Sequence, residues 1–297
     1  MDIQKFVRQR KSLGYSQVEL SRGICTQSTL SKFENSGKVP SLSILEQLCR
    51  RLGLTIDELN QDDASSLRYL RRLMDTAEQH LMLERFPQAI GQLKKVAPEN
   101  LAAPQDQMQY YYLQGMIGAL TSAQLSATLF NFTKILDELD EEHQTIFSQL
   151  AYLGSGILYA RQGAMGHADF FFAKVITYLQ KNASDDWSKA ERLRYLRTIM
   201  MTYYAAEYHA LNHRLPISNK VLDQAIGMCA AQHVTYFLPR IKLLQANNAI
   251  EAGGSIDAVR RLLTEAMVFA RFNHSGVVEV QVATIRKHFE NEIVNND

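Results

Sequence analysis

The chain has 297 residues, of which 46% are hydrophobic and 21% are charged, and these values are typical of a folded globular protein. Its formal net charge is +1, which excludes a strongly basic or strongly acidic chain. No apolar run reaches the length needed to cross a bilayer, and the charged N-terminal region enters a helix without a secretory segment. We therefore expect a cytoplasmic protein, long enough for more than one domain.

The sequence predicts no chemistry of the kind that enzymes use. Cys25, Cys49 and Cys229 are far apart and lack metal-ligand spacing, and Gly-rich phosphate loops, HExxH, CxxC and nucleophile elbows are absent from the sequence. We expect Cys25 and Cys49 to be buried as small hydrophobic side chains, with an inter-subunit disulfide through Cys49 as an alternative. The prediction is a chain with no metal site, no cofactor and no enzymatic activity.

Two short helices are predicted before residue 24. Apolar residues at helical spacing predict a first helix that ends at Gly14; they are Ile3, Phe6 and Val7. Ser16 and Glu19 have the spacing of a capping box at the start of a second helix. Val18 and Leu20 of that helix are predicted to face the core.

A third helix follows a tight turn at Gly23, where Ile24 is predicted to enter the core. Thr26 caps this helix, and its apolar residues Leu30 and Phe33 face inward. Its outward residues are Gln27, Ser28, Ser31 and Lys32. Because Gln pairs with adenine edges, Ser donates or accepts, and Lys reaches guanine or phosphate, these side chains are candidates for reading DNA. The alternative is an ordinary solvated helix face.

The run SQVELSRGICTQSTLSKFE resembles the helix-turn-helix of the Cro and phage-repressor (XRE) superfamily, in which the third helix lies in the major groove. The resemblance covers about the first sixty residues. It implies that Gln17 grips a phosphate, that Gln27, Ser28 and Lys32 face bases, and that the following loop contacts phosphates through Asn35 and Lys38. It also implies a partly buried salt bridge between Arg10 and Glu34.

The turn RGIC is one residue shorter than in common members of that superfamily. This shortening and the run ICTQS are more similar to regulators of the Rgg and PlcR type (RNPP regulators), which sense peptides. A further helix, followed by a final short one through Ile56 and Leu59, completes a five-helix head over residues 1–61. The residues predicted to pack the fourth helix on the core of the head are Leu42, Ile44, Leu45 and Leu48. The polar residues 62–66 are predicted to be a linker.

From residue 67 to 297, helical periodicity recurs without the alternation typical of strands, so the chain is predicted to be all-α with a helical body. Breaks divide this body into paired helices with a repeat of roughly forty residues. The clearest unit, YLGSGILYARQGAMGHADFFFAKV, resembles a tetratricopeptide hairpin, with Gly156 and Ala168 at the close approach and Gly163 in the turn. Weaker copies pair Ala77 with Ala89, Gly115 with Ala127, and Ala246 with Ala258. The alignment of the unit within residues 194–230 is ambiguous, and an irregular helical bundle is the alternative to a solenoid.

A stacked-hairpin body offers a groove for an extended peptide. The resemblance to the Rgg and PlcR type implies a homodimer that reads an inverted repeat in double-stranded DNA and binds a short signalling peptide. The family's groove positions fall on Gln109, Tyr112, Met116, Leu153, Ile157, Arg161, Arg240, Leu243 and Asn247. Of these, Asn247 is suited to holding a peptide backbone, and Arg161 and Arg240 to binding a carboxylate.

Two other functions remain open from the sequence. In the first, the head binds DNA and the body binds a protein partner or a small metabolite. In the second, the chain is a tetratricopeptide scaffold that acts mainly by binding other proteins. The complete recognition helix argues against the second. Residues 1–61 carry nine Lys and Arg and six Asp and Glu, a net charge of +3 that leaves −2 for the remainder, which fits a slightly basic head on a nearly neutral body.

Overall fold

The computed structural model describes residues 1, 3–56, 59, 67–121, 123–183, 186–187 and 190–296. The chain forms two compact units, one of Met1–Leu73 with Glu99–Leu101 and one of Met74–Pro98 with Ala102–Asp297. The secondary structure within the described residues is helical, without strands, which confirms the all-α prediction. The predicted linker 62–66, and the predicted fifth head helix apart from Ile56 and Leu59, lie outside the described residues.

Four head helices enclose a small apolar core. They are α1 (Ile3–Ser12), α2 (Gln17–Ser21), α3 (Gln27–Ser36) and α4 (Leu42–Arg51). The rings of Phe6 and Phe33 meet edge to face with their centroids 5.1 Å apart, and Leu20 and Leu30 are fully buried beside them. Gly14 has a φ of +77°, a left-handed conformation that glycine adopts without steric cost and that ends α1.

Two apolar side chains of the head do not lie where the sequence predicts. Val18 is 56% exposed and Leu42 is 66% exposed, so the predictions that both face the core are wrong. Val18 lies on the side of α2 opposite Leu20, and Leu42 is the first residue of α4, nearly one turn before the buried Leu45. Ile24 is partly buried against this core, as predicted. Cys49 is buried in it, as predicted, and forms no disulfide within the described residues.

The body continues the chain with helices joined by short turns. They are α5 (Leu67–Met82), α6 (Phe86–Leu93), α7 (Pro104–Leu120), α8 (Leu125–Thr133), α9 (Ile146–Arg161), α10 (Met165–Lys181), α11 (Arg192–Leu211), α12 (Leu215–Ala231), α13 (Leu238–Glu251), α14 (Ile256–Phe272) and α15 (Gly276–Asn296). A 3-10 turn at Pro98–Asn100 precedes α7, and a π-helical segment, Lys134–Leu139, extends α8.

Helices α7 to α14 form four antiparallel hairpins, and the first helix of each hairpin packs on the first helix of the next. This arrangement confirms the predicted solenoid of helical hairpins. The close approaches require glycine: a Cβ on Gly154 would lie 2.1 Å from Phe132 Cζ, and one on Gly115 would lie 2.5 Å from Phe132 Cε1. The Phe132 ring therefore fills the space between α7 and α9. Gly156 is similarly close to Phe172, and Ala168 is fully buried, as predicted.

The small-residue register differs from the prediction in the second unit. Ala127 is exposed, and the neighbouring Thr128 packs against Gly118, where an added Cβ would lie 2.6 Å from Thr128 Oγ1. In the ambiguous fourth unit, the buried small residues include Ala205, Ala206, Ser218 and Ala225. The sequence analysis also missed the turn between α14 and α15, which His274 makes with a φ of +53°.

The start of α9 is held by a buried carboxylate. Asp140 accepts hydrogen bonds from Ser148 Oγ (2.5 Å), Thr145 Oγ1 (2.8 Å) and Thr145 N (2.9 Å). Burial alone would raise the pKa of Asp140, but the hydrogen bonds from Ser148 and Thr145 to the charged form hold its pKa below the ordinary value of 3.8. The ionised Asp140 therefore stabilises the turn into α9.

Candidate functional site

The third head helix presents a polar edge, which we define as Gln27, Ser28, Ser31, Lys32 and Asn35. Ser31 is half-buried and the other four are exposed, while Leu30 and Phe33 on the opposite face are fully buried. The Thr26 hydroxyl accepts a hydrogen bond from Thr29 N (3.2 Å) and caps the helix. The helix thus anchors its apolar face in the head and leaves its polar edge available, as the sequence predicts.

The first residue of this edge is held by a chain of side-chain hydrogen bonds. Gln27 Nε2 donates to Gln17 Oε1 (2.9 Å), and Gln17 Nε2 donates to Glu34 Oε2 (2.8 Å). Gln17 therefore bridges the start of α2 to both ends of α3. An amide at this place retains donor capacity for a phosphate, which fits the role that the sequence resemblance implies for Gln17.

A buried ion pair holds Glu34, the last acceptor in this chain of hydrogen bonds. Arg10 Nε and Nη2 donate to the two carboxylate oxygens of Glu34 at 2.6 and 2.8 Å, and Arg10 Nη1 donates to the carbonyl of Tyr15 at 2.6 Å. The two side chains are 10% and 3% exposed. The predicted pair of Arg10 and Glu34 is confirmed, and its bidentate geometry fixes α1 to the end of α3.

The loops beside the polar edge are also fixed. Gly37 ends α3 in a left-handed conformation, and Lys38 follows it, exposed. Arg51, which the sequence analysis did not single out, donates to the carbonyls of Leu20 (2.9 Å) and Arg22 (2.7 Å) and so closes the end of α2. Such arginine caps have no local sequence signal, because the partners are about thirty positions apart.

The predicted peptide residues divide into two groups. Six of them are buried inside the body in this structure: Gln109, Tyr112, Met116, Leu153, Ile157 and Leu243. Arg161 and Asn247 are exposed, and Arg240 is partly exposed. Arg161 donates to the carbonyls of Ala119 (3.0 Å) and Leu120 (2.6 Å) at the end of α7. Only the second group therefore lies at the surface of this arrangement.

Two of the buried residues, Gln109 and Tyr112, contact an ion pair that was not predicted from the sequence. Glu78 of α5 accepts hydrogen bonds from Arg197 of α11 at 2.7 and 2.8 Å and from Gln109 at 3.0 Å. The Arg197 guanidinium also lies over the rings of Phe147 (4.7 Å) and Tyr112 (5.9 Å). Helices α5, α7, α9 and α11 meet at this cluster, which we call the Glu78 cluster. The signal in the sequence was Arg197, a charged residue that follows Tyr195 and Leu196 and precedes the apolar run from Ile199.

A second ion pair lies farther along the body. The surface that the first helices of the hairpins form, together with the two ion pairs, is called the inner face. Arg240 of α13 contacts Glu84 at 2.5 Å and donates to Tyr204 Oη at 3.0 Å. Its guanidinium also lies 5.0 Å from the centre of the Tyr203 ring. Since Glu78 and Glu84 come from α5 and the turn after it, this segment neutralises the two arginines of α11 and α13.

No group of three or more His, Cys, Asp or Glu side chains in the described part of the chain is placed to hold a metal ion. None of the described helices combines the length and apolar character needed to span a membrane.

Comparisons with known proteins agree with this geometry. Residues 8–59 match the helix-turn-helix family HTH_3, and no curated protein sequence matches the chain. Bacillus thuringiensis PlcR in complex with the peptide PapR7 and DNA has a TM-score of 0.60 at 14% identity, covering 94% of this chain and 98% of that one. ComR from S. thermophilus with DNA and its signalling peptide ComS has a TM-score of 0.58 at 14% identity, covering 98% and 100%.

ComR from Streptococcus vestibularis in complex with its cognate signalling peptide XIP is also similar, with a TM-score of 0.54 at 13% identity over 97% of this chain and 98% of that one. At these identities the likeness is one of fold. Residues 8–59 are therefore a helix-turn-helix domain, and the chain has the fold of PlcR and ComR that its resemblance to the Rgg and PlcR type predicts.

Proposed function

We propose that the chain is a sequence-specific DNA-binding transcription regulator whose recognition helix is α3. The observation that carries this proposal is the exposed polar edge of α3, held in place through Gln17, Glu34 and Arg10. In the major groove, Gln27, Ser28, Ser31 and Lys32 read base edges. Backbone phosphates are bound from the flanking positions, which are Gln17, Thr26, Asn35 and Lys38. The exposed edge argues against a scaffold that acts only through protein partners.

We further propose a homodimer that reads an inverted repeat. An apolar patch at the end of the body supports it: Val268, Phe272, Val277 and Val280 are 59%, 71%, 58% and 67% exposed. Exposed clusters of large apolar side chains are typical of protein interfaces, and two heads in a symmetric dimer read two half-sites. Phe272→Lys is expected to give monomers in sedimentation equilibrium, whereas Phe170→Lys, which changes an exposed phenylalanine of α10, is expected to leave the dimer intact.

We propose that a short signalling peptide controls DNA binding through the inner face of the body. PlcR and ComR are solved with peptides, and this chain has their fold. Asn247 and the partly exposed Arg240 are the positions that a peptide meets first. The six buried positions contact a peptide only if the body opens, and the pairs of Glu78 with Arg197 and of Glu84 with Arg240 are the contacts that opening breaks.

This arrangement favours a peptide with a carboxylate, because a ligand carboxylate can replace Glu84 on Arg240 without leaving a buried cation unpaired. The peptide switches transcription only by the difference between its affinities for the DNA-competent and DNA-incompetent states, typically about 1 to 3 kcal/mol. A regulator of this kind acts where the chromosome lies, in the cytoplasm.

The DNA proposal is tested by selecting binding sites from random duplexes with the full chain. Gln27→Ala combined with Ser28→Ala is expected to remove sequence preference while leaving the far-ultraviolet circular dichroism unchanged. Gln47→Ala, which changes an exposed glutamine of α4, is the matched control and is expected to select the wild-type motif. Unchanged site selection by the double variant would show that α3 does not read the bases.

The peptide proposal is tested with the chain purified from its native host, by mass spectrometry of retained peptides followed by calorimetry with the synthetic peptide. Asn247→Ala is expected to weaken peptide binding without altering peptide-free DNA binding. Wild-type peptide affinity for that variant would remove Asn247 from the site, and the absence of any retained peptide would favour the body as a receptor for a small molecule or a protein partner.

A further inference from the structure

A cavity of about 480 Å³ lies between α10, α11 and α12, apart from the inner face and the Glu78 cluster. Its size is typical of small-molecule sites. Most of its wall is apolar, formed by Ile176, Leu179, Ala205, Ile217, Val221 and Met228. On α11 it is lined by Thr198, Ala205 and His209, whereas the inner face uses Arg197 and Tyr204 of the same helix. The two surfaces therefore belong to different sides of α11.

The one lysine or arginine among the described residues that line the cavity, Lys220, lies at one end of it, and the described residues that line the other end are neutral. His209 lies two residues before the end of α11, and Lys220 lies six residues after Arg214, the last residue of the turn between α11 and α12. Both are therefore at the turn end of this hairpin. Gly227 and Trp187 line the opposite part. Seven residues of helix separate Lys220 from Gly227, which places them about 10 Å apart along α12.

The end of the cavity at His209 and Lys220 has a hydrogen-bonding atom without a partner among the described residues. His209 is 7% exposed, and its Nδ1 atom is buried without a hydrogen-bond partner among the described residues. Burial lowers the pKa of His209, and the nearby Arg214 guanidinium lowers it further, so the ring is neutral at pH 7 and has one donor and one acceptor. A buried polar atom of this kind ordinarily has a partner.

The charge at the cavity has one sign. Lys220 is the charged side chain among the described lining residues, and no carboxylate is among them. Lys220 is exposed, so its ammonium stands at the mouth of the turn end. An anionic head group is matched by Lys220 and His209, and an aliphatic tail is matched by the apolar wall that runs toward Gly227.

We propose that this cavity binds an acyl-chain carboxylate, with the carboxylate at Lys220 and His209 and the chain extending toward Gly227 and Trp187. The site is a second ligand site of the body and does not depend on peptide or DNA binding by the chain. Trp187 is the single tryptophan of the chain, so its fluorescence reports occupancy of the tail end directly.

The test titrates the full chain with decanoate, below its micelle concentration, and follows Trp187 fluorescence and calorimetric heat. We expect saturable binding of one decanoate per chain. Because each buried methylene tightens binding about fourfold, octanoate, with two methylenes fewer, is expected to bind about fifteenfold more weakly. Decyltrimethylammonium, which has the same tail and the opposite charge, is expected to bind more weakly than decanoate.

Two variants and a control locate the site. Gly227→Leu fills the tail end without a clash, because a Cβ there meets no atom within 4 Å, and it is expected to weaken decanoate binding at least tenfold. Gly91→Leu in α6, where a Cβ also meets no atom within 4 Å, is the control and is expected to bind as wild type. Lys220→Gln is expected to weaken binding about two- to fivefold, the range of an exposed charge contact.

The proposal is overturned if Gly227→Leu binds decanoate as tightly as wild type while keeping the same circular dichroism and melting temperature. It is also overturned if decyltrimethylammonium binds as tightly as decanoate, or if many decanoate molecules bind per chain without saturation, since each result describes detergent-like adsorption. The readouts involve neither DNA nor peptide, so this outcome is independent of the test of α3.

Discussion

The Glu78 cluster predicts a large and specific loss of stability when one partner is changed. Glu78 is 1% exposed, and its carboxylate accepts three hydrogen bonds, two from Arg197 and one from Gln109. Glu78→Gln keeps the shape but removes the carboxylate that Arg197 pairs with directly, and leaves Asp75 as the carboxylate that still acts on the guanidinium. Breaking a buried pair in this way costs about 3 to 5 kcal/mol.

The second single variant and the double variant complete a thermodynamic cycle. Arg197→Met leaves Glu78 as an uncompensated buried carboxylate and is expected to cost about the same. The double variant removes both charges, so its loss is expected to be at least about 3 kcal/mol smaller than the sum of the single losses. Burial of both charges, rather than their mere proximity, is the reason for this coupling.

The assay is urea denaturation of the full chain followed by Trp187 fluorescence, which reports on the body because the head has no tryptophan. Glu265→Gln is the control: its partner Lys242 lies 2.8 Å away, but the Glu265 side chain is 37% exposed, so a loss below about 1 kcal/mol is expected. Additive losses in the cycle, or single losses no larger than that of the control, would refute a buried and coupled pair between α5 and α11.

Three further stability predictions follow from particular contacts. Arg10→Ala leaves Glu34 buried and unpaired and is expected to destabilise the head by about 3 kcal/mol, measured as faster amide hydrogen exchange in α1 and α3. Gly154→Ala puts a Cβ 2.1 Å from Phe132 Cζ and is expected to cost the body about 1 to 3 kcal/mol in urea denaturation. Asp140→Asn is expected to cost about 1 to 3 kcal/mol at pH 7. Because the folded pKa of Asp140 lies below its ordinary value of 3.8, its stabilisation is complete above pH 3.8 and is lost as the pH falls toward the folded pKa, so the variant and wild type converge in acid.

Neighbouring positions supply the controls. Lys11→Ala changes an exposed residue next to Arg10 and is expected to leave exchange unchanged within about 0.5 kcal/mol. Gly91→Ala adds a Cβ that meets nothing within 4 Å and is expected to stabilise the body by up to about 1 kcal/mol. Glu141→Gln, in the exposed position after Asp140, is expected to differ from wild type by less than about 0.5 kcal/mol at pH 7, and a loss for Asp140→Asn that does not shrink in acid would contradict the capping role.

Local patterns predicted the head well because its structure depends on contacts near in sequence. The capping box of Ser16 and Glu19 forms as predicted, and Leu30 and Phe33 lie in the core. Val18 and Leu42 were wrong because hydrophobicity alone does not show which of several neighbouring apolar residues faces a small core.

The body was less predictable because its decisive contacts join distant positions. Glu78 and Arg197 are 119 residues apart. No local pattern in the sequence shows that they meet, or that Gln109 and Tyr112 contact them. The turn at His274 was missed because glycine and proline are the usual signals of a break, and histidine in a left-handed conformation carries no such signal. The cavity at Lys220 and His209 is likewise visible only once α11 and α12 are packed.

The most direct test of the central claim is a change of specificity at one base. Gln pairs with adenine and Arg pairs with guanine in the major groove, so a reading role for Gln27 predicts a defined exchange. In site selection from random duplexes, Gln27→Arg is expected to replace one adenine by guanine in each half-site and to leave the other positions unchanged. A motif identical to that of the wild type, with binding intact, would contradict the assignment of α3 as the helix that reads DNA.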